Sequence, residues 1–286
     1  MAGISRRKAG THRRRVLAAV LVAAAGFGFL GWQHFWPVAA AAEWQYRVLA
    51  DDLPVVSALA ADGQGGLYAS LELKNGEGRI VQIAADGGRR TVKGGFSKLD
   101  GMVRYRGGIA YSQEEDHTPV RWWHGDRDDV LFDGRDVEEL ATDGHYLYAI
   151  EDRPQDARLL RYDPDSGEVT TLRDGLEVAE GVAVCPDGRL FYLEKKKGWV
   201  KRLQPDGHDT TVAEGLNAPG FLMCDGAGLW VSEDATHRAR LLLLDDSGRV
   251  QVVLSHLRSA QTVLPVGPGR YVLAEQGRNR VLEITR

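Results

Sequence analysis

The octet "YRVLADDL" occupies residues 46–53, directly behind an apolar N-terminal segment. It reads as a short strand running into a turn, with no hairpin partner beside it. Its counterparts lie far along the chain: "RTVKGGF" (90–96), "DVLFDGR" (129–135), "VTTLRDGL" (169–176), "TTVAEGL" (210–216) and "VQVVLSHL" (250–257). Each closes a unit of about forty residues. The clearest marker within the units is a second strand: "GGLYASLE", "GGIAYSQE", "HYLYAIED", "GRLFYLEK", "AGLWVSED" and "GRYVLAEQ". Its first apolar residues are Leu67, Ile109, Leu147, Leu190, Leu229 and Tyr271, at spacings of 42, 38, 43, 39 and 42. Four short strands per forty-residue period make a β-propeller blade. The expectation is an all-β, six-bladed propeller of four-stranded blades. The last unit ends at "NRVLEITR" without a closing strand. A segment at about 44–51 should therefore complete the sixth blade beside the C-terminus, removing an open seam.

The 286 residues divide by charge. Six of the 36 Lys and Arg lie in residues 1–42, which hold no Asp or Glu; residues 43–286 keep 30 against 40 acidic residues. An acidic domain of about −10 argues against nucleic-acid binding, which wants clustered Lys and Arg. "VLAAVLVAAAGFGFLGW" (16–32) carries no charge and follows "RRKAGTHRRR". Basic residues stay on the cytoplasmic side, so the domain at 43–286 should lie outside the cytoplasm, in the periplasm if the cell is Gram-negative. An uncleaved single-pass anchor, with Trp32, Phe35 and Trp36 at the outer interface, competes with secretion after cleavage near Ala42, where "VAAAA" (38–42) supplies small residues. The length of the run and the aromatic cluster favour the anchor. "RRRVL" (13–17) resembles a twin-arginine signal, although a plain basic flank is the blander and preferred explanation. In both readings residues 1–42 stand apart from the fold, as one apolar helix.

The blades, with turns such as "VCPDGRLFYLE" and "CDGAGLWVSED", resemble the senescence marker protein/gluconolactonase superfamily, with strictosidine-synthase-like and NHL-type propellers as relatives. The resemblance covers nearly all of residues 43–286. It implies a site at the top of the central channel, with a divalent cation held by side chains at the mouths of the inner strands. Alignment of the repeats gives one column there: Ser57, Asp100, Glu138, Glu180, Pro219 and Gln261. Asp100-Gly101-Met102 and Glu180-Gly181-Val182 fit the family's local pattern. Ser57 and Pro219 depart from it, standing where a Glu and an Asp are expected. The implied cation ligands are Asp100, Glu138, Glu180 and Asn217. The cation would be Ca²⁺ or another divalent ion, since Ca²⁺ accepts six to eight oxygens in flexible geometry. Glu180 and Asp100 are the implied catalytic groups.

A second column ends the second strands: Glu72 or Leu71, Gln113, Glu151, Glu194, Glu233 and Glu275. Glu151, Glu194 and Glu233, with Gln261 and loop His117, are expected to contact substrate; His237 lies in a similar loop. Solvated polar loops are the plainer reading of that column. Two functions compete. One is a metal-dependent lactone or ester hydrolase taking a small-molecule substrate. The other is a non-catalytic, envelope-tethered propeller binding a protein or glycan. Cys185 and Cys224 recur at equivalent places in adjacent blades. Adjacent inner strands are expected to sit beyond disulfide range, leaving two free thiols.

Overall fold

The computed structural model describes residues 4–286, with side chains from residue 12 onward except 33–35. It falls into two units, 1–38 and 39–286. The first holds one helix, Ile4–Phe35, whose stretch His12–Trp32 is long and apolar enough to cross a membrane.

The second unit is a six-bladed propeller of antiparallel sheets. Blades 1 to 4 span residues 56–96, 99–133, 137–176 and 182–213; blades 5 and 6 span 219–257 and 260–285. Each inner strand starts at a near-invariant place in the repeat. The strands are short and rich in Val, Leu and aromatics, as a pleated, half-buried surface requires. Apolar side chains from facing sheets meet between blades. Between blades 3 and 4, for example, Tyr148, Ile150, Leu159 and Leu176 pack on Val182, Leu190 and Tyr192.

The ring closes through two strands contributed by the N-terminal side. β2 (Gln45–Ala50) pairs antiparallel with Arg280–Thr285, in the register Tyr46↔Ile284 to Ala50↔Val281, and forms the outer strand of blade 6. The chain then locks down: the Leu53 N–H donates to the Asn279 carbonyl at 2.9 Å. This is the closure expected from the opening octet. β1 (Ala39–Ala40) was not expected. It pairs with Leu254 and Ser255 as a fifth strand of blade 5, and the Ala41 N–H reaches the Val253 carbonyl. Residues 39–42 thus belong to the propeller. Between the two strands, buried Trp44 packs its edge on Trp230 of blade 5 and lies against Tyr271 of blade 6. One segment therefore joins the last two blades by sheet pairing and by an aromatic wedge.

The cysteines are also a correction. Cys185 and Cys224 form a disulfide, with Cα atoms 4.8 Å apart. Inner strands of blades 4 and 5 come closer than a generic propeller implies. Glycine permits it: a Cβ on Gly181 would meet the Gly220 carbonyl at 2.7 Å.

Candidate functional site

One backbone device, repeated six times, builds the channel mouth. The residue immediately before each inner strand, or four before it in blade 4, takes a left-handed conformation: Val55, Lys98, Asp136, Val178, Ala218 and Ser259 all have φ between 46° and 52°. Its carbonyl accepts the N–H of the residue that follows the second strand's closing position. The pairs are Glu72 to Val55, Glu114 to Lys98, Asp152 to Asp136, Lys195 to Val178, Asp234 to Ala218 and Gln276 to Ser259, at 2.7–2.9 Å. Five inner strands then bulge, between Val56 and Leu59, Leu99 and Met102, Val137 and Leu140, Pro219 and Leu222, and Ala260 and Val263. A bulge re-aims a side chain.

The outcome is two stacked tiers. The inner tier, two residues after each left-handed position, is Ser57, Asp100, Glu138, Glu180, Gly220 and Gln261. The outer tier is Glu72, Glu114, Asp152, Lys195, Asp234 and Gln276. Ten of these twelve residues, all but Ser57 and Gly220, line one cavity of about 250 Å³ with no apolar surface. In blade 5 the inner-tier position belongs to Gly220, not Pro219. Gly220 leaves room that matters: a Cβ there would lie 3.0 Å from the Asp234 Cβ and 3.5 Å from Glu180 Oε2.

The two halves of the ring differ in charge. On blades 4 to 6, Lys195 Nζ lies 2.9 Å from Glu180 and 2.6 Å from Asp234, and the Gln261 amide donates to Asp234 at 2.8 Å. Burial works against the ammonium, but Glu180 and Asp234 outweigh it and hold Lys195 firmly charged. Blades 1 to 3 bring five carboxylates together: Glu72, Asp100, Glu114, Glu138 and Asp152. Lys98 pairs with Glu114, the Ser57 hydroxyl donates to Asp100, and the Gln276 amide donates to Glu72 at 2.7 Å. Among the described residues, Glu138 Oε2 and Asp152 Oδ1 are buried with no partner, as is Glu180 Oε2 on the other side.

Burial is the largest cause of the raised carboxyls throughout. It pushes Glu72 up to about 7 with help from Glu114, Asp152 to about 6 with help from Glu114, and Glu180 to about 8 against the pull of Lys195. Asp100 and Glu138 rise well above the usual range, through burial and then through Glu72 and Asp100 respectively. Oxygens of Glu72, Asp100 and Glu114 lie within 4.8 Å of one another, and so do those of Glu114, Glu138 and Asp152. Oxygens on opposite sides of one Ca²⁺ sit about 5 Å apart, so either triad matches the span of such an ion.

The residues singled out from sequence divide three ways. Asp100, Glu138, Glu180 and Gln261 line the cavity. Asn217 and His117 are exposed and lie outside it; the Asn217 N–H donates to Glu233, and His117 sits 3.4 Å from Asp116. His237 is exposed as well. Glu151, Glu194 and Glu233 are buried within their blades and already engaged. Glu151 takes Arg158 bidentately and the Arg135 N–H; Glu194 takes Lys197, the Trp199 indole and the Glu177 N–H; Glu233 takes Arg240 and the Asn217 N–H. Glu275 repeats the pattern with Arg280 and the Arg258 N–H. These carboxylates fasten each blade to the loop that enters it.

Glu72 stands beside Leu71 in the second column, but the repeat pattern does not single out the rest of the outer tier: Glu114, Asp152, Lys195, Asp234 and Gln276. Each stands one position after a residue of that column. Neighbouring residues of an extended chain point to opposite sides, so a shift of one exchanges buried fastener for channel wall. The signal was present as the second residue of "QEED", "EDRP", "EKKK", "EDAT" and "EQGR".

Solved structures share this architecture. A gluconolactonase from Xanthomonas campestris superposes with a TM-score of 0.71 at 15% identity, covering 86% of this chain and 91% of that one. In fold the chain resembles the gluconolactonase propellers. The PQQ-bound aldose sugar dehydrogenase of Streptomyces coelicolor superposes with a TM-score of 0.62 at 17% identity, over 86% of this chain and 99% of that one. At such identities the likeness is one of fold, which hosts more than one chemistry. By sequence, the adipocyte plasma membrane-associated protein of Salmo salar is 30% identical over 122 residues. That match spans 37% of this chain and 29% of the relative's length. No protein-family model matches the chain.

Proposed function

We propose that the propeller is a divalent-cation-dependent hydrolase for a small, strongly polar lactone or ester, acting at the mouth of its channel. One observation carries this reading: the buried, unpartnered oxygens of Glu138 and Asp152 stand among five carboxylates with Lys98 as the neighbouring cation. The donor set is all oxygen, which suits a hard cation such as Ca²⁺. Asp100, Glu114 and Glu138 would hold it, with Glu72 and Asp152 completing the shell. When bound, the cation would polarise a carbonyl and acidify water. The wholly polar wall favours a hydroxyl-rich substrate over an acyl chain.

Glu180 is the general base in this proposal. Lys195 holds its Oε1, which leaves Oε2 unpartnered to take a proton from the attacking water. Its carboxyl, raised to about 8, is matched to proton transfer near neutral pH. Lys195, tied also to Asp234, fixes the orientation of the base. The apolar helix would tether the propeller to a membrane, outside the cytoplasm. The disulfide supports an oxidising compartment.

The test is hydrolysis of a sugar-derived lactone at pH 8, measured against the uncatalysed rate. Ca²⁺ should support turnover, EDTA should remove it, and Glu180→Gln should lower kcat about 10²-fold or more. Turnover indifferent to both EDTA and Glu180→Gln rejects the mechanism. Cation binding without turnover of any lactone or ester favours a propeller that binds an envelope protein or glycan.

A further inference from the structure

Below the acid ring the channel changes character. The inner strands continue with apolar residues, and with Glu139 these line a second cavity of about 150 Å³. Leu59, Met102, Leu140, Phe221 and Val263 contribute to its wall. Glu139 is buried, and its Oε2 accepts two backbone N–H groups, from Val182 at 2.7 Å and Leu222 at 3.1 Å. Those groups belong to the inner strands of blades 4 and 5, whose channel-side edges have no neighbouring strand in the sheet. One oxygen of Glu139 therefore satisfies both. Among the described residues, none donates to the other oxygen, Oε1.

A residue present only to cap the two N–H groups needs a single acceptor, which a glutamine amide would supply. A carboxyl group costs more to bury than a neutral amide. Apolar side chains beside a buried carboxyl, with Thr142 and Thr262 also on the wall, are the elements of a small-molecule site. A cavity of this volume accommodates a molecule of about benzene's size. An ionised carboxylate only accepts hydrogen bonds, so the matching ligand is a donor, and a cationic donor best offsets the buried charge.

We propose that this lower chamber is a second ligand site, separate from the acid ring, for a small primary amine with a compact apolar body. The ammonium group donates to Glu139 Oε1 while the hydrocarbon fills the space between Met102, Phe221 and Val263.

Benzylamine and benzyl alcohol are the probes, titrated calorimetrically into the full chain in detergent. Benzylamine should bind saturably and about tenfold or more tighter than benzyl alcohol, the worth of a charge-assisted hydrogen bond. Glu139→Gln should weaken benzylamine about tenfold and leave benzyl alcohol unchanged. Val263→Phe, which fills the chamber without touching the carboxyl, should abolish both. Glu138→Gln, in the ring above, should change neither. Equal affinity for the two probes, no saturable binding, or benzylamine unaffected by Glu139→Gln overturns the proposal. So does loss of benzylamine binding in Glu138→Gln alone, which would put the amine in the acid ring. None of these readings depends on lactone turnover.

Discussion

The two arcs of the channel mouth are made from the same repeat and behave as opposites. On blades 4 to 6, two carboxylates share Lys195, and Gln261 and Gln276 fill the remaining inner and outer positions. On blades 1 to 3, five carboxylates crowd around Lys98, with buried oxygens left unpartnered. The first arc carries its own cation as a side chain. The second sets Lys98 against five carboxylates, an excess of negative charge. Repetition of a backbone frame thus fixes where twelve side chains stand, while single substitutions within it decide whether a sector is neutralised or charged.

The largest effect should come from removing the internal cation. Lys195→Met leaves Glu180 and Asp234 without their partner, and breaking a mostly buried pair in this way costs about 3 kcal/mol. Chemical denaturation would measure it. A loss under ~1 kcal/mol would show that the blade 4 to 6 arc does not depend on its lysine.

Next in size is the response to an added ion. Ca²⁺ at a hundredfold excess over its dissociation constant should stabilise the folded chain by about 2.7 kcal/mol. Glu138→Gln and Glu114→Gln should blunt this gain, whereas a folded Lys195→Met protein should retain it. An equal loss in all three variants would erase the distinction between the arcs.

The buried carboxyls also predict a pH dependence. Burial pushes Glu72, Asp152 and Glu180 up to about 7, 6 and 8 in the folded chain, above their ordinary values of 4.5, 3.8 and 4.5. The folded state therefore binds protons more tightly than the unfolded state. The stability this contributes is complete below the ordinary values and is lost as pH rises through the raised ones. The melting temperature of cation-free protein should fall between pH 5 and 8, and Ca²⁺ should restore more at pH 8 than at pH 5. A flat cation-free profile across that window would contradict the crowding of blades 1 to 3.

Smaller still, Glu138→Gln should raise the stability of the cation-free protein at pH 8 by ~1 kcal/mol, because it deletes a surplus buried charge. Its sign is opposite to that of Lys195→Met. Asn217→Ala, at an exposed residue outside the cavity, should change stability by less than ~0.5 kcal/mol and leave the Ca²⁺ response intact.

The blade count, the four-strand period and the closing strand were legible in residues 43–286, because each blade is a local unit whose apolar strands and turns recur at a nearly constant spacing. "YRVLADDL" could be matched to its five counterparts by pattern, and its pairing with Arg280–Thr285 is the place that pattern assigns it. Asp100, Glu138 and Glu180 were legible for the same reason, as they hold one register position in successive repeats. Three features were decided only by the tertiary structure. Which of two consecutive residues faces the channel depends on a left-handed residue and a bulge, so Glu114 was hidden behind Gln113 and Asp152 behind Glu151. Whether Cys185 meets Cys224 depends on how closely two strands pack across a separation of 39 residues, and the close approach of Gly181 to Gly220 lies on those same two strands. Whether a carboxylate is a structural fastener or a free ligand depends on partners brought from elsewhere: Arg158 and Arg240 occupy Glu151 and Glu233, while nothing among the described residues occupies Glu138 Oε2. Sequence periodicity reports repeated local geometry; charge balance in a channel is a sum over six blades, and only folding brings its terms together.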